Sequence, residues 1–441
     1  MPGPVQRVSF TALGCRVSRA DLDTMAASVD GPFRLVPEGE PADFIVVNTC
    51  SITHDADSAA RQAIRRASRE HPAARIVVTG CYAELARDVL AALPGVAAVL
   101  GVRQQNAIRE VLVRLSGEAR SRPAAAREPE EGPAWGPAPV EAYGHTRPFL
   151  KVQDGCDQRC AFCVVPLARG ASRSMPFEQA LDQLARLGER NAEVVLTGVH
   201  LGAYGRDLEP RRSLAELLRV AVERRCAARL RLSSIESEEF PVEALVDPAT
   251  SAVLCDHFHV PLQSGSERIL RLMRRRYGPG EFRAVIEEVA ALAPGACLGT
   301  DVMVGFPGET DDDFRETVRL LEQLPFAYLH VFPFSPRPGT AAAAMEPIAG
   351  PVVRERAREL VALGDRRWRG YIKGLAGHVL DVVVERVEGG LARGTSRRFA
   401  TVRWPASDER RGQVVRVRVE ASDGQECFGI SARTFASRLP P

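Results

Sequence analysis

The chain has 441 residues, 45% hydrophobic and 26% charged, with 58 basic and 56 acidic side chains and a net charge of +2. Such a length predicts two to four domains with ample core material, and the balance excludes a global polycation, so any nucleic-acid binding must come from local patches. Met1–Phe10 lacks an apolar signal segment and no apolar run reaches the ~18 residues of a membrane span, so a cytoplasmic protein without a membrane partner is expected.

The first hundred residues alternate short Val- and Ile-rich runs with amphipathic stretches. Strands are predicted over 7–13, 43–48 and 75–79, with helices over 20–30 and 58–70, a pattern of a parallel α/β sheet. Residues 117–145 are dominated by Pro, Ala, Gly and charge, the composition of a flexible linker. A longer β/α alternation follows, with strands over 149–153, 193–197, 229–233, 257–260, 298–304 and 328–332. About six such units predict a full or partial β/α barrel, with chemistry at the C-terminal ends of the strands. His257 and His259 are expected on opposite faces of their strand. Beyond Lys373 the period shortens to strands over 378–387, 400–404 and 414–419, predicting a small all-β, OB-like barrel. The expected division is therefore 4–116, a linker over 117–145, 146–372 and 373–441.

Ten cysteines in a cytoplasmic chain point to metal or redox use rather than disulfides. Cys156, Cys160 and Cys163 follow directly on the strand FLKVQ in a C-x-x-x-C-x-x-C spacing. A structural zinc would need a fourth ligand, and none is near. Three thiolates instead suit one face of a 4Fe-4S cluster, leaving one iron open to chelate S-adenosylmethionine for radical generation. Phe162 is placed to stack on adenine. Cys15, Cys50 and Cys81 each follow one of the first three predicted strands (TALGC, VVNTC, VVTGC). In a parallel sheet those strand ends share one edge, so the three can hold a second 4Fe-4S cluster. Gly14 and Gly80 leave room for the turns. Cys226, Cys255, Cys297 and Cys427 show no ligand spacing and read as buried structural thiols.

Ordered stretches along the chain carry a family resemblance: LGCRVSRAD, VVNTCSIT, VVTGCYAE, FLKVQDGCDQRCAFCVVPLARGASRS, VVLTGVHLGAYGRDL, RLRLSSIE, HVPLQSGSERILRLMRRRY, GTDVMVGFPGETDDDF and FSPRPGTAAAAM. The chain resembles the radical S-adenosylmethionine methylthiotransferases over all but the linker. The resemblance implies an N-terminal cluster domain, a central radical domain and a C-terminal RNA-binding module of the TRAM type. It further implies insertion of a methylthio group at C2 of N6-threonylcarbamoyladenosine next to the anticodon (position 37) of tRNA. Isopentenyladenosine in tRNA or an aspartate of a ribosomal protein are the alternative substrates of the family. One S-adenosylmethionine would methylate a sulfur at the auxiliary cluster and a second would supply the radical. The expected partners are the anticodon stem-loop, a reductase as electron donor and a sulfur source. Two departures stand out: Ser18 where the family has Asn, and Ala171-Ser172 where it has a basic run.

Thr197 and Gly198 close the second barrel strand and by analogy would contact the methionine moiety; Ser233 and Glu236 would contact ribose or the amino group. Gly305, in the turn GFPGE, would cradle adenine or its ribose. Ordinary strand-end turns are the alternative for each. Arg271–Arg276 (RLMRRR) reads as a phosphate-facing run or a solvated helix face. In the last module Arg397, Arg398 and Arg403, beside Phe399 and Trp404, read as RNA contacts, with a barrel core as the alternative for the aromatics.

Overall fold

The computed structural model of the protein describes residues 5–117, 135–137, 143 and 146–431. Strands β1 (Gln6–Ala12), β2 (Phe33–Leu35), β3 (Phe44–Thr49), β4 (Arg75–Gly80) and β5 (Val96–Val99) form one parallel sheet in the order β2-β1-β3-β4-β5. Every residue of β3 is buried, because helices cover both faces of the sheet. The helix His54–Glu70 starts at Thr53, whose side chain accepts from the Ala56 amide. The expected strands are all present. The edge strands β2 and β5 were missed because one has three residues and the other carries two alanines, too weak for a periodic signal.

Most of the expected linker lies outside the described residues. Two of its described residues are seated on the domains: Trp135 lies over the Lys151 ammonium, 5.7 Å from ring centroid to nitrogen, and Tyr143 packs edge-on against Phe10.

The central region contains β6 (Phe149–Asp154), β7 (Arg173–Ser174), β8 (Val194–Gly198), β9 (Leu230–Leu232), β10 (His257–His259), β11 (Cys297–Val304) and β12 (Tyr328–Pro333). Two sheets, β7-β6-β8-β9 and β10-β11-β12, meet through a parallel bridge between Leu230 and Leu254, giving the expected partial barrel of six parallel strands. Alternate residues such as Phe258 and Leu298 pack outward with Phe282, Ile286 and Val289 of the helix Pro279–Leu292. His257 and His259 share a face, contrary to expectation. Residues two apart on a strand point the same way, and both rings bond the Tyr328 hydroxyl at 2.9 and 3.0 Å.

The helix Gly350–Gly374, passed over in the sequence, lies on β12, where Gly364 permits close approach to Leu329. After it, β13 (Val379–Glu388), β14 (Leu391–Ser396), β15 (Thr401–Pro405), β16 (Val414–Ser422) and β17 (Cys427–Ser431) close into a barrel rather than the three strands expected. Trp404 is buried in that barrel's core with Val382, Val402 and Val417, which decides for the core reading of this aromatic. Phe399 leaves the barrel and stacks on His257 at 4.0 Å.

Candidate active site: two cysteine triads across a domain seam

Cys15, Cys50 and Cys81 follow the neighbouring parallel strands β1, β3 and β4 at one sheet edge, which is why residues so far apart in sequence converge. The packing is close. Gly14 has φ +145°, and a Cβ there would lie 2.5 Å from the Cys50 Cβ; at Gly80, with φ +101°, it would lie 2.2 Å from the Thr49 carbonyl oxygen. Gly14→Ala is therefore expected to displace Cys50 and lower iron retention, measured as iron per chain after anaerobic reconstitution, while the barrel triad keeps its share. Ser18, one of the departures, is buried with its hydroxyl 3.7 Å from the Cys15 sulfur. Burial pushes the Cys50 thiol up to about 12, and the neighbouring Cys15 and Cys81 act in the same direction. Cys81 is raised by burial too, against the pull of Arg169.

Cys156, Cys160 and Cys163 lie in the loop between β6 and the short helix Val165–Arg169. The Cys156 amide donates to the Gly170 carbonyl at 3.1 Å and the Cys163 amide to that of Cys160 at 3.1 Å, which fixes the loop. Burial pushes the Cys163 thiol up to about 12. Two cationic groups meet this triad: Arg275 donates to the Cys160 sulfur at 3.4 Å, and His200 Nδ1 lies 3.7 Å from that of Cys156. Burial alone would lower the His200 pKa, but its bonds to Cys156 and Glu239 hold it at about 10.

Neither triad forms a disulfide, and in each the buried thiols resist ionisation without an added cation. Three sulfur donors per site with that electrostatic demand fit an iron–sulfur cluster. Unpartnered polar atoms fit a ligand beside the barrel triad. Thr197 Oγ1, Ser233 Oγ and Gln263 Oε1 are buried at or just beyond the C-terminal ends of β8, β9 and β10 with no hydrogen-bond partner among the described residues.

The other expected residues have these surroundings. Glu236 is tied to Arg275 rather than left free. A Cβ on Gly305 would meet Val353 at 2.5 Å, and its amide donates to Glu309 Oε2 at 2.9 Å, so this turn closes on its own chain. Gly198 faces Gln153 and Leu201. Phe162 is half-buried against an apolar cluster with Met303 and Phe306. Arg397 donates to the Ala252 carbonyl at 2.7 Å, Arg398 lies 3.9 Å from Asp256, and Arg403 pairs with Glu426. The first two fasten the terminal barrel to the central one. All three keep part of the side chain at the surface, 22%, 25% and 45% exposed, beside these internal partners.

Sequence reasoning missed the seam between the triads. Arg169, the last residue of the helix Val165–Arg169 that follows the barrel triad, donates through Nε to the Cys81 sulfur at 3.2 Å. Its other nitrogens pair with Asp154 at 2.9 Å and Asp21 at 2.7 Å, and Lys151 bridges the same two carboxylates. One guanidinium thus joins the loop of one triad to a sulfur of the other. The available signal was Lys151, one of two lysines in a chain otherwise using Arg. On the far side of the seam Arg337 pairs with Asp57 at 2.8 Å. Arg275, read as part of a surface run, was missed because its burial depends on the fold; Arg271 in the same run is exposed and paired with Glu267.

Comparison with known proteins agrees with this geometry. Residues 150–321 match the Radical SAM superfamily, and residues 7–101 match Uncharacterized protein family UPF0004. The chain is 32% identical over 427 residues to the threonylcarbamoyladenosine tRNA methylthiotransferase MtaB of Bacillus subtilis, covering 93% of each chain. It is 35% identical to the protein of the same name from Aquifex aeolicus, over 86% of this chain and 92% of the relative. A tRNA-2-methylthio-N(6)-dimethylallyladenosine synthase of Leifsonia xyli is 32% identical, over 95% of this chain and 81% of the relative. Among solved structures, the radical S-adenosylmethionine methyltransferase TsrM of Kitasatospora setae superposes with a TM-score of 0.54 at 15% identity, over 77% of this chain and 74% of that one, a likeness of fold.

A partial β/α barrel carrying a C-x-x-x-C-x-x-C loop at its strand ends defines a radical S-adenosylmethionine enzyme. With the second domain and the full-length relatives, the chain belongs to the family of radical S-adenosylmethionine tRNA methylthiotransferases. It is an enzyme that transfers a methylthio group, and it uses S-adenosylmethionine and 4Fe-4S clusters. Among the described residues no helix is long and apolar enough to cross a membrane.

Proposed function

We propose that the substrate is N6-threonylcarbamoyladenosine next to the anticodon of tRNA, methylthiolated at C2 by this cytoplasmic enzyme. The observation that carries the reading is full-length similarity to relatives bearing that activity in their names, at 32% and 35% identity. Cys156, Cys160 and Cys163 hold the cluster that binds S-adenosylmethionine, and Cys15, Cys50 and Cys81 hold the auxiliary cluster. When bound, these groups supply one-electron activation of a C–H bond and the sulfur to be transferred. The chain's own part is to hold both sites in fixed relation through Arg169. Arg275 and His200 offset the negative charge of its sulfurs. A reductase and a sulfur source are the partners this chemistry needs. The division into 4–116, a linker over 117–145, 146–372 and 373–441 follows these roles, with Arg397, Arg398 and Arg403 as RNA contacts.

The test is nucleoside mass spectrometry of bulk tRNA from a deletion strain. Loss of 2-methylthio-N6-threonylcarbamoyladenosine, with its unmethylthiolated precursor accumulating, is the expected result. Loss of the dimethylallyl counterpart instead would move the enzyme to the other tRNA branch, and an unchanged tRNA profile with an altered ribosomal-protein mass would move it to the third.

A further inference from the structure

Guanidiniums buried in this protein are matched by carboxylates. Arg169 has Asp21 and Asp154, Arg231 has Glu193, Arg275 has Glu236, Arg337 has Asp57 and Arg356 has Glu309. Arg16 is different. It directly follows Cys15 at the start of the helix Arg16–Ala27, is half-buried, and makes no side-chain hydrogen bond or ion pair among the described residues. Its electrostatic neighbours belong to the central barrel: Tyr328 and Asp301, with Arg231 and Arg147 adding like charge. Asp301 is already engaged, 3.0 Å from His259 Nε2 and 3.3 Å from His330 Nδ1. An unpaired cation therefore stands where the auxiliary triad meets the barrel interior.

The two tRNA substrates of the family differ in a way this cation can read. A threonylcarbamoyl group carries a carboxylate, and a dimethylallyl group is a hydrocarbon. N6 and C2 lie on the same edge of adenine, so a base presenting C2 at the seam carries its N6 substituent only a few bonds away. A guanidinium matches a carboxylate through two parallel charge-assisted hydrogen bonds. We propose that Arg16 binds the carboxylate of the threonylcarbamoyl group and so selects this nucleoside. This rests on the substrate reading above.

The test compares binding of the reconstituted full-length protein to three anticodon stem-loops by fluorescence anisotropy. They carry threonylcarbamoyladenosine, its carboxamide analogue or plain adenosine. The native protein is expected to prefer the carboxylate over the carboxamide by about 10- to 100-fold, as charge-assisted hydrogen bonds allow. Arg16→Gln is expected to abolish that ratio while leaving affinity for the plain loop, and iron content, unchanged. Arg16→Lys, which keeps the charge without the fork, should retain part of it. A preserved ratio in Arg16→Gln overturns the role of Arg16 and leaves the substrate reading intact. If Arg16→Gln does not fold, a ratio unchanged in Arg16→Lys overturns the bidentate contact. A native protein that methylthiolates a dimethylallyladenosine loop and not the threonylcarbamoyl loop overturns the substrate reading itself.

Discussion

Cys163→Ala is expected to reduce formation of 5′-deoxyadenosine from S-adenosylmethionine to background, whereas Cys50→Ala leaves that cleavage in place and removes only the methylthio product. The asymmetry follows from two triads on separate elements, one in the loop after β6 and the other on the edge of the first sheet. A cluster held by three thiolates has no spare protein ligand, so each substitution is expected to release about half of the bound iron. Iron analysis, the visible absorption of the clusters and chromatography of the reaction products read the three quantities. Equal loss of cleavage in both variants would show that the sites do not divide the labour in this way.

Removing Arg169 is the second large effect. It is buried, with its side chain 2% exposed, and its partners Asp21 and Asp154 are buried as well. Arg169→Met leaves the two carboxylates to Lys151 and to Arg173, which lies 3.6 Å from Asp154. Breaking one partner from such a buried network costs about 3–5 kcal/mol. Thermal or denaturant unfolding of the full chain measures the loss. The sign with pH is also set. Burial opposes ionisation of Asp154, but Lys151 and Arg169 outweigh it and hold the carboxyl well below the usual range. A carboxylate depressed in this way stabilises the fold above its ordinary pKa, and the contribution is lost as pH falls through the lower folded value. The variant, less stable at neutral pH, should therefore unfold at a higher pH on acidification than the native chain. The stability difference between the two narrows as pH falls below the ordinary carboxyl range. Coincident acid transitions would refute this account of the seam.

Much of the architecture was legible because local patterns suffice for it. Runs such as FIVVNT and LGTDVMV are buried on both faces, so they show as short segments rich in apolar residues, and every strand expected in the first two regions exists. The terminal module was read less well. Its strands β14 and β17, LARGTS and CFGIS, carry little apolar periodicity and owe their state to barrel closure. Both cysteine triads could be named, one from its spacing and the other from the rule that parallel strands end on one edge.

By itself, then, the sequence determined which thiols gather, on what kind of scaffold and for what class of chemistry, since these depend on strand order and short spacing. The tertiary structure alone decided what surrounds them. Arg169 reaches Cys81 across the seam, Arg275 turns inward to Cys160, and Arg397 and Arg398 reach partners on the central barrel. A guanidinium has the same appearance in sequence whether it is paired, buried or free. Only the packing of one domain on another sets its partner, and at Arg16 leaves the position open.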